Sequence, residues 1–154
     1  MKVKDIMTTE MIVCRPEDTI SSTAQLLKKS NISGLPAVEG DSVVGIVSEM
    51  DILKLLEVPE HGGLWLPSPL EVFEIPIREL INWEETRHML EDVGSKQIRE
   101  IMKKDVHVIS PENSVEDASK MMSRHKINRL PVVEDGKLVG IITRGDIIRG
   151  IAEA

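Results

Sequence analysis

Cysteine is nearly missing from this sequence, because Cys14 is the only one among 154 residues. This excludes a disulfide framework and a cysteine-based metal cluster, and we expect Cys14 to be a small buried apolar residue. The four histidines do not have the spacing typical of a zinc site. They are His61, His88, His107 and His125. No metal and no tightly held cofactor are therefore predicted.

Long hydrophobic runs are also missing. No apolar segment approaches the roughly 18 residues that a membrane-spanning helix needs, and residues 1–5 lead into no signal-peptide core. With 41% hydrophobic and 29% charged residues, the chain has enough apolar material to form a core. We expect a folded cytoplasmic protein with no membrane segment.

The chain has few basic residues relative to acidic ones. It contains 19 Lys and Arg residues and 26 Asp and Glu residues, which gives a net charge of -7. This argues against a protein whose main task is to coat nucleic acid. The last third of the chain is more basic than the rest, so a nucleic-acid-binding module stays open as an alternative. Its patch would comprise Lys103, Lys104, Lys120, Arg124 and Lys126.

What the chain does have is an internal repeat. Residues 6–53 align without a gap with residues 101–148. A unit of about 50 residues buries too little surface to be stable alone, so the two copies should pack together. The chain is accordingly divided into a first repeat, residues 1–53, an acidic insert, residues 54–97, and a second repeat, residues 98–154.

Each repeat shows the order strand, helix, strand, strand, helix, which predicts an α/β (α+β) fold. N-caps for the first helix are offered by Asp18 or Thr19 in one copy and by Asn113 or Ser114 in the other. Apolar residues then recur at helical spacing. The second helix should begin near Met50 and, in the second copy, near Gly145.

Two-residue turns join the paired strands. Asp135-Gly136 suits a type I′ turn and Gly40-Asp41 suits a type II′ turn. Each repeat is therefore expected to contain one β-hairpin.

Three motifs, each present in both copies, resemble those of CBS (cystathionine-β-synthase) domains. They are Asp5-Ile6-Met7 and Glu100-Ile101-Met102; Leu35-Pro36-Ala37-Val38 and Leu130-Pro131-Val132-Val133; and Gly45-Ile46-Val47-Ser48-Glu49-Met50-Asp51 and Gly140-Ile141-Ile142-Thr143-Arg144-Gly145-Asp146. The resemblance implies two β-α-β-β-α repeats packed as a pseudo-twofold pair, which itself forms a homodimer. It also implies clefts between the repeats for AMP, ADP, ATP or S-adenosylmethionine.

By the same resemblance, each cleft takes a ribose-binding pair from one repeat and its adenine and phosphate contacts from the other. One cleft would combine Ser48 and Asp51 with His107, Asn128, Arg129 and Leu130. The other would combine Thr143 and Asp146 with Ile12, Ser33, Gly34 and Leu35. Arg129 and Arg144 are the candidates for binding phosphate.

The chemistry of the closing motif agrees with this assignment. Ser48 and Thr143 lie at predicted helix N-termini, where free amides and the helix dipole favour an anion. Asp51 and Asp146 can accept two hydrogen bonds from a ribose diol. The same spacing is also a capping box, so these residues could do no more than begin a helix. The two roles are compatible.

The two clefts are predicted to differ in charge. Glu49 occupies the place of Arg144 in the first repeat, and Gly34 occupies the place of Arg129. An inward-facing Glu49 would repel phosphate, so its cleft is expected to bind a less charged ligand or none. Instead of binding phosphate, Arg129 and Arg144 could be ordinary solvated surface arginines.

The insert holds every aromatic residue of the chain. They are Trp65, Phe73 and Trp83. An irregular loop is expected over residues 58–69, and Asn82 is a predicted N-cap for a helix that runs to about Val93 and ends at Gly94. The aromatics could pack a small subdomain against the repeats, or they could form an oligomer or partner interface.

We therefore expect a regulatory module that senses an adenosine-containing ligand and passes its state to a protein partner. An enzyme is not predicted, because the chain shows no nucleophile with an adjacent base and no glycine-rich phosphate loop. Besides the nucleic-acid alternative, a structural or oligomerisation scaffold with vestigial pockets stays open.

Overall fold

A computed structural model describes residues 1–56 and 83–154, without the side chain of Trp83. The α-helices are α1 (Val3–Ile6), α2 (Ile20–Ser30), α3 (Glu49–Leu53), α4 (Trp83–Ser95), α5 (Val115–His125) and α6 (Arg144–Ala152). The strands are β1 (Gly34–Glu39), β2 (Ser42–Ser48), β3 (Arg129–Glu134) and β4 (Lys137–Thr143). Short 3-10 turns cover Lys54–Leu56 and Ile98–Glu100. This mixed architecture of two repeated units confirms the predicted fold class.

Each repeat contains the predicted antiparallel hairpin. Strand β1 pairs with β2, and β3 pairs with β4. In the second hairpin, Asp135 and Gly136 both have positive φ, at 51° and 78°, which is the requirement of a type I′ turn. In the first hairpin, Gly40 has φ 63°, and Asp41 is not among the positive-φ residues, as a type II′ turn requires. The turn residues therefore set both hairpins locally.

The predicted first strand of each repeat is reduced to a single bridging residue. Cys14 bridges in parallel to Ala37, and Ile109 bridges in parallel to Val132. The backbone N–H of Cys14 donates to the Pro36 carbonyl at 3.0 Å, and Cys14 accepts from the Val38 N–H at 2.8 Å. Cys14 is buried in the core of the first repeat, as predicted.

The helix caps resolve the two alternatives left by the sequence. Thr19 caps α2, since its side-chain oxygen accepts from the Ser22 N–H at 3.1 Å. Ser114 caps α5 and accepts from the Asp117 N–H at 3.0 Å, while the Asp117 carboxylate accepts from the Ser114 N–H in return. A capping box thus begins α5.

The opening segments of the two repeats are exchanged. Val3 of α1 is fully buried in the core of the second repeat, whereas Ile98, at the equivalent position, is fully buried in the core of the first. The backbones of Thr8 and Ile141 form a reciprocal antiparallel bridge at 2.8 and 2.9 Å. Each repeat therefore completes its sheet and core with a segment from the other.

Helix α4 is the described part of the insert. It begins at Trp83 and continues through Gly94 to Ser95, so it extends slightly beyond its predicted end. It packs against α2, and a Cβ added at Gly94 would lie 3.3 Å from the Cβ of Ser21. The loop at 58–69, Trp65, Phe73 and Asn82 lie outside the described residues.

Candidate ligand-binding clefts

Two clefts open between the repeats, on either side of a shared wall. We call them the Arg144 cleft and the Asp51 cleft, with volumes of about 320 and 400 Å³. Both lie within the range of about 300–1,000 Å³ that small-molecule sites occupy. Three residues line both clefts and form the wall between them. They are Ser33, Asn128 and Arg129.

The Asp51 cleft brings together five of the six residues that the sequence assigned to it. They are Ser48, Asp51, His107, Asn128 and Arg129. The sixth, Leu130, is fully buried in the core of the second repeat. Leu130 therefore does not line this cleft.

The Arg144 cleft brings together five of the seven residues assigned to it or to its phosphate. They are Ile12, Ser33, Gly34, Thr143 and Arg144. Leu35 is fully buried in the core of the first repeat. Asp146 is 4% exposed and does not line this cleft. Its carboxylate accepts hydrogen bonds from the N–H and the hydroxyl of Thr143, which does line the cleft.

Both Ser/Thr-x-x-Asp motifs form capping boxes. The Ser48 N–H and Oγ–H donate to Asp51 Oδ2 at 2.9 and 3.0 Å, and the Asp51 N–H donates to Ser48 Oγ at 3.3 Å. Thr143 and Asp146 repeat this arrangement at 2.8, 3.0 and 3.1 Å. The capping hydrogen bonds thus use Oδ2 of each carboxylate. The other oxygen, Oδ1, takes no part in capping.

The Oδ1 atoms of the two carboxylates have different partners. Asp51 Oδ1 lies 3.7 Å from Lys103 Nζ, a distance too long for a good hydrogen bond. Asp146 Oδ1 accepts a hydrogen bond from the guanidinium of Arg149, one turn further along α6. The Asp51 cleft therefore presents a carboxylate oxygen that can accept a further hydrogen bond, whereas Asp146 Oδ1 already accepts one from its own helix.

Arg129 is not an ordinary solvated arginine. It is half-buried, and its guanidinium donates to Ser33 Oγ. A Cβ added at Gly34 would lie 2.5 Å from Arg129 Nη1 and 2.8 Å from the backbone oxygen of Val47, so the guanidinium packs directly against this glycine. Burial lowers the pKa of Arg129, while the nearby carboxylates of Glu49 and Asp51 act in the opposite direction. The structure therefore holds this cation in the wall between the clefts.

The charged residues around the clefts are distributed unevenly. Glu49 lines the Asp51 cleft, and Arg144 lines the other, as the repeat alignment suggested. The Asp51 cleft also contains Lys103, Lys126 and Asp105. Sequence reasoning placed the two lysines in a surface patch and missed their position at a cleft. The signal was available for Lys103, because it directly follows the Ile101-Met102 motif that opens the second repeat.

Two histidines add a flat surface at the Asp51 cleft. The rings of His107 and His125 are stacked, with centroids 3.7 Å apart and an angle of 15° between the planes. His107 lines the cleft, and His125 ends α5. Such a stack can offer a ring face or edge to a planar ligand.

Within residues 1–56 and 83–154, no group of three His, Cys, Asp or Glu side chains converges as a metal site. The helices of the same residues include none with the length and apolar character to cross a membrane.

Repeated hairpins, exchanged opening segments and capped carboxylates at inter-repeat clefts define a class of paired α/β modules. The chain belongs to the CBS-domain family, whose model matches residues 3–58 and 98–153. It is 39% identical to the uncharacterized protein MJ1426 of Methanocaldococcus jannaschii, over 98% of this chain and 91% of that protein. The tandem CBS pair inferred from the sequence is thereby confirmed.

Two solved structures show similar pairs with adenosine compounds bound. CBSX2 in complex with AMP matches with a TM-score of 0.71 at 26% identity, over 99% of this chain and 96% of CBSX2. The CBS domain pair of protein MJ0100, in complex with 5′-methylthioadenosine and S-adenosyl-L-methionine, matches with a TM-score of 0.71 at 27% identity, over 99% and 97% of the two chains. These compounds are bound to CBSX2 and to the MJ0100 pair, respectively.

Proposed function

We propose that this chain is a regulatory module that binds adenosine-containing ligands in its two clefts, without chemical turnover, and passes the bound state to a partner. One observation carries the proposal. In the Asp51 cleft, a buried carboxylate of the first repeat faces basic residues of the second, Lys103, Lys126 and Arg129. The bound compounds of CBSX2 and of the MJ0100 pair support the same ligand class.

The Asp51 cleft supplies complementary groups for a nucleotide. Asp51 Oδ1 accepts from the ribose hydroxyls, because Oδ2 is already used in the capping box. The positive charges of Lys103 and Arg129 attract a phosphate, and charge-assisted hydrogen bonds of this kind are stronger than neutral ones. The backbone of Lys126–Asn128 and the His107 ring remain for the adenine.

The Arg144 cleft should favour the more highly charged ligands. It is lined by Arg129 and Arg144 with Glu10 as its carboxylate, whereas the Asp51 cleft contains Glu49, Asp51 and Asp105. Like charges at short range disfavour binding. A ligand with little negative charge, such as S-adenosylmethionine, is therefore better matched to the Asp51 cleft, and AMP, ADP or ATP to the Arg144 cleft.

Ligand binding would become a signal through the packing of the repeats. Each cleft is lined by residues of both repeats, so a ligand contacts both at once. A ligand can shift a conformational equilibrium only by the difference in its affinity for the two states. A partner that reads the relative position of the repeats would sense that difference.

A second copy of this chain is the proposed partner of α3 and α6. Met50 and Leu53 of α3 are 58% and 53% exposed, and Ile148 and Ile151 of α6 are 61% and 68% exposed. Exposed apolar side chains on equivalent helices favour a self-complementary interface. We expect Ile148→Glu to shift sedimentation towards the monomer, whereas Val108→Glu, a control at another exposed apolar residue, should not. A monomeric wild type would contradict the homodimer.

The insert stays a further candidate for self-association. If its aromatics form an interface, Trp65→Ala or Trp83→Ala should weaken the oligomer. Unchanged sedimentation of both variants would remove this role.

Titration calorimetry tests the proposed function directly. AMP, ATP and S-adenosylmethionine should each be titrated into the wild type and into Asp51→Asn. The amide oxygen can still accept the capping hydrogen bonds, but the amide nitrogen cannot accept from a ribose, so we expect at least one ligand to bind the wild type and to bind this variant at least about tenfold more weakly.

Asp117→Asn is the matched control, because Asp117 closes an equivalent capping box on α5 and lines neither cleft. Absence of binding to the wild type would contradict the proposed function. Equal binding by all three proteins would contradict the assigned role of Asp51.

A further inference from the structure

Arg129 lines both clefts, and this position has a consequence for binding. Among the described residues that line the clefts, it is the one basic residue common to both, since Lys103 and Lys126 line only the Asp51 cleft and Arg144 only the other. We propose that Arg129 couples the two clefts negatively, so that a ligand phosphate bound in one weakens phosphate binding in the other. This inference rests on the proposed function.

The pseudo-twofold relation between the repeats explains why one cation serves two clefts. Gly34 stands in the first repeat where Arg129 stands in the second. The guanidinium lies against that glycine, where a Cβ would meet Nη1 at 2.5 Å and Cζ at 2.7 Å. The same Cβ would meet the backbone oxygen of Val47 at 2.8 Å, so an arginine at position 34 would require the backbone to shift. The wall therefore holds the guanidinium of Arg129 alone.

The present contacts of Arg129 allow a phosphate to redirect it. Its guanidinium donates to the neutral hydroxyl of Ser33, which itself lines both clefts. A phosphate oxygen is a stronger acceptor for a guanidinium than a hydroxyl is. A phosphate in one cleft should thus draw the guanidinium to its side and leave the other cleft with less positive charge.

Repulsion between two phosphates across the same wall would act in the same direction. The two causes can be separated, however, because only the first requires Arg129. Coupling free energies between sites commonly correspond to factors of about 5 to 150 in affinity, and the effect is reciprocal by linkage. We expect at least about a fivefold effect here.

The experiment closes each cleft in turn. Val106 lines only the Asp51 cleft and Met11 only the Arg144 cleft, so Val106→Trp and Met11→Trp should each leave one functional site. Titration calorimetry with AMP gives the single-site constants of the two blocked variants. The coupling factor is the product of the two stepwise association constants of the wild type divided by the product of the two single-site association constants. Differences in affinity between the two sites cancel in this ratio.

We expect a coupling factor of about one fifth or less for AMP in the wild type. In the Arg129→Gln background it should move clearly towards one, with phosphate repulsion as the remainder, and adenosine, which has no phosphate, should give a factor close to one in every protein. Circular dichroism checks the fold of the blocked variants, with Val106→Phe and Met11→Phe as smaller replacements.

A factor close to one for AMP in the wild type would overturn the coupling and leave the proposed function intact. An equally low factor with and without Arg129 would assign the coupling to phosphate repulsion and also overturn the proposal. AMP binding by only one of the blocked variants would show that one cleft is inactive, which excludes coupling. Failure of the wild type to bind AMP and adenosine would exclude the coupling, and failure to bind S-adenosylmethionine as well would contradict the proposed function itself.

Discussion

Asp51 and Asp146 each close a capping box at the start of a helix, and Asp117 does the same on α5. Of these three residues, Asp51 alone lines a cleft, so alanine substitutions should separate capping from ligand contact. A helix-capping interaction contributes about 0.3–1.5 kcal/mol. At about 2–4 °C per kcal/mol for a chain of this length, Asp51→Ala, Asp146→Ala and Asp117→Ala should each lower the ligand-free melting temperature by about 1–6 °C.

The ligand-dependent part of the melting temperature should differ between the three variants. A ligand at 100 times its Kd stabilises the folded state by about 2.7 kcal/mol, which corresponds to about 5–11 °C by the same conversion. Asp117→Ala should keep the full wild-type increment. We expect the increment to fall sharply in Asp51→Ala, because the proposed ribose acceptor is lost, and to stay near the wild-type value in Asp146→Ala, because Asp146 lines neither cleft.

Differential scanning fluorimetry provides the measurement, with AMP, ADP, ATP, S-adenosylmethionine and NAD as the ligands. The quantity to compare is the rise in melting temperature that ligand causes within each protein, not the absolute melting temperature. Equal rises in the wild type and all three variants would refute the proposed contact of Asp51 with the ligand and leave capping as its only role.

Three smaller perturbations test other features of the structure. Arg149→Ala removes the hydrogen bond to Asp146 Oδ1 and should leave adenosine affinity unchanged in calorimetry, because Asp146 lines neither cleft, whereas a gain in affinity would show that Asp146 reaches the ligand. Burial raises the pKa of Cys14 to about 12, so its thiol should react with a disulfide reagent at pH 8 only on unfolding, and rapid labelling of the native protein would contradict this burial. Hydrogen bonds from two N-terminal lysines lower the pKa of Glu112 from 4.5 to about 2, so its stabilising effect is present above about pH 4.5 and is lost as the pH falls towards 2. The melting-temperature difference between wild type and Glu112→Gln should accordingly shrink over that interval, and a difference independent of pH would argue against the ion pair.

The features that the sequence predicted well are those decided by neighbouring residues. The Asp135-Gly136 turn follows from the φ values that these two residues tolerate, and the Ser48 and Thr143 caps follow from a hydroxyl placed before a helical pattern. The repeat alignment added the asymmetry between Glu49 and Arg144, because equivalent positions can be compared directly.

The features that could not be predicted depend on contacts between distant parts of the chain. Nothing local shows that Val3 enters the core of the second repeat, since its segment continues directly into the first. Likewise, the contact of Arg129 with Ser33 joins positions that meet only after both repeats have folded. The ion pair between Arg149 and Asp146 could have been predicted from the sequence, because residues three apart on a helix are neighbours.

The exchange of opening segments gives the clefts a direct connection to the packing of the repeats. Thr8 bridges to Ile141 and both line the Arg144 cleft, while Lys103 bridges to Ile46 and both line the Asp51 cleft. Each cleft is thus built on backbone hydrogen bonds between one repeat and the opening segment of the other. A ligand bound at such a junction would contact residues that hydrogen-bond the two repeats together. Under the proposed function, binding energy at either cleft would be available to change how the repeats pack, and the guanidinium of Arg129 in their common wall would make that change depend on which cleft is filled.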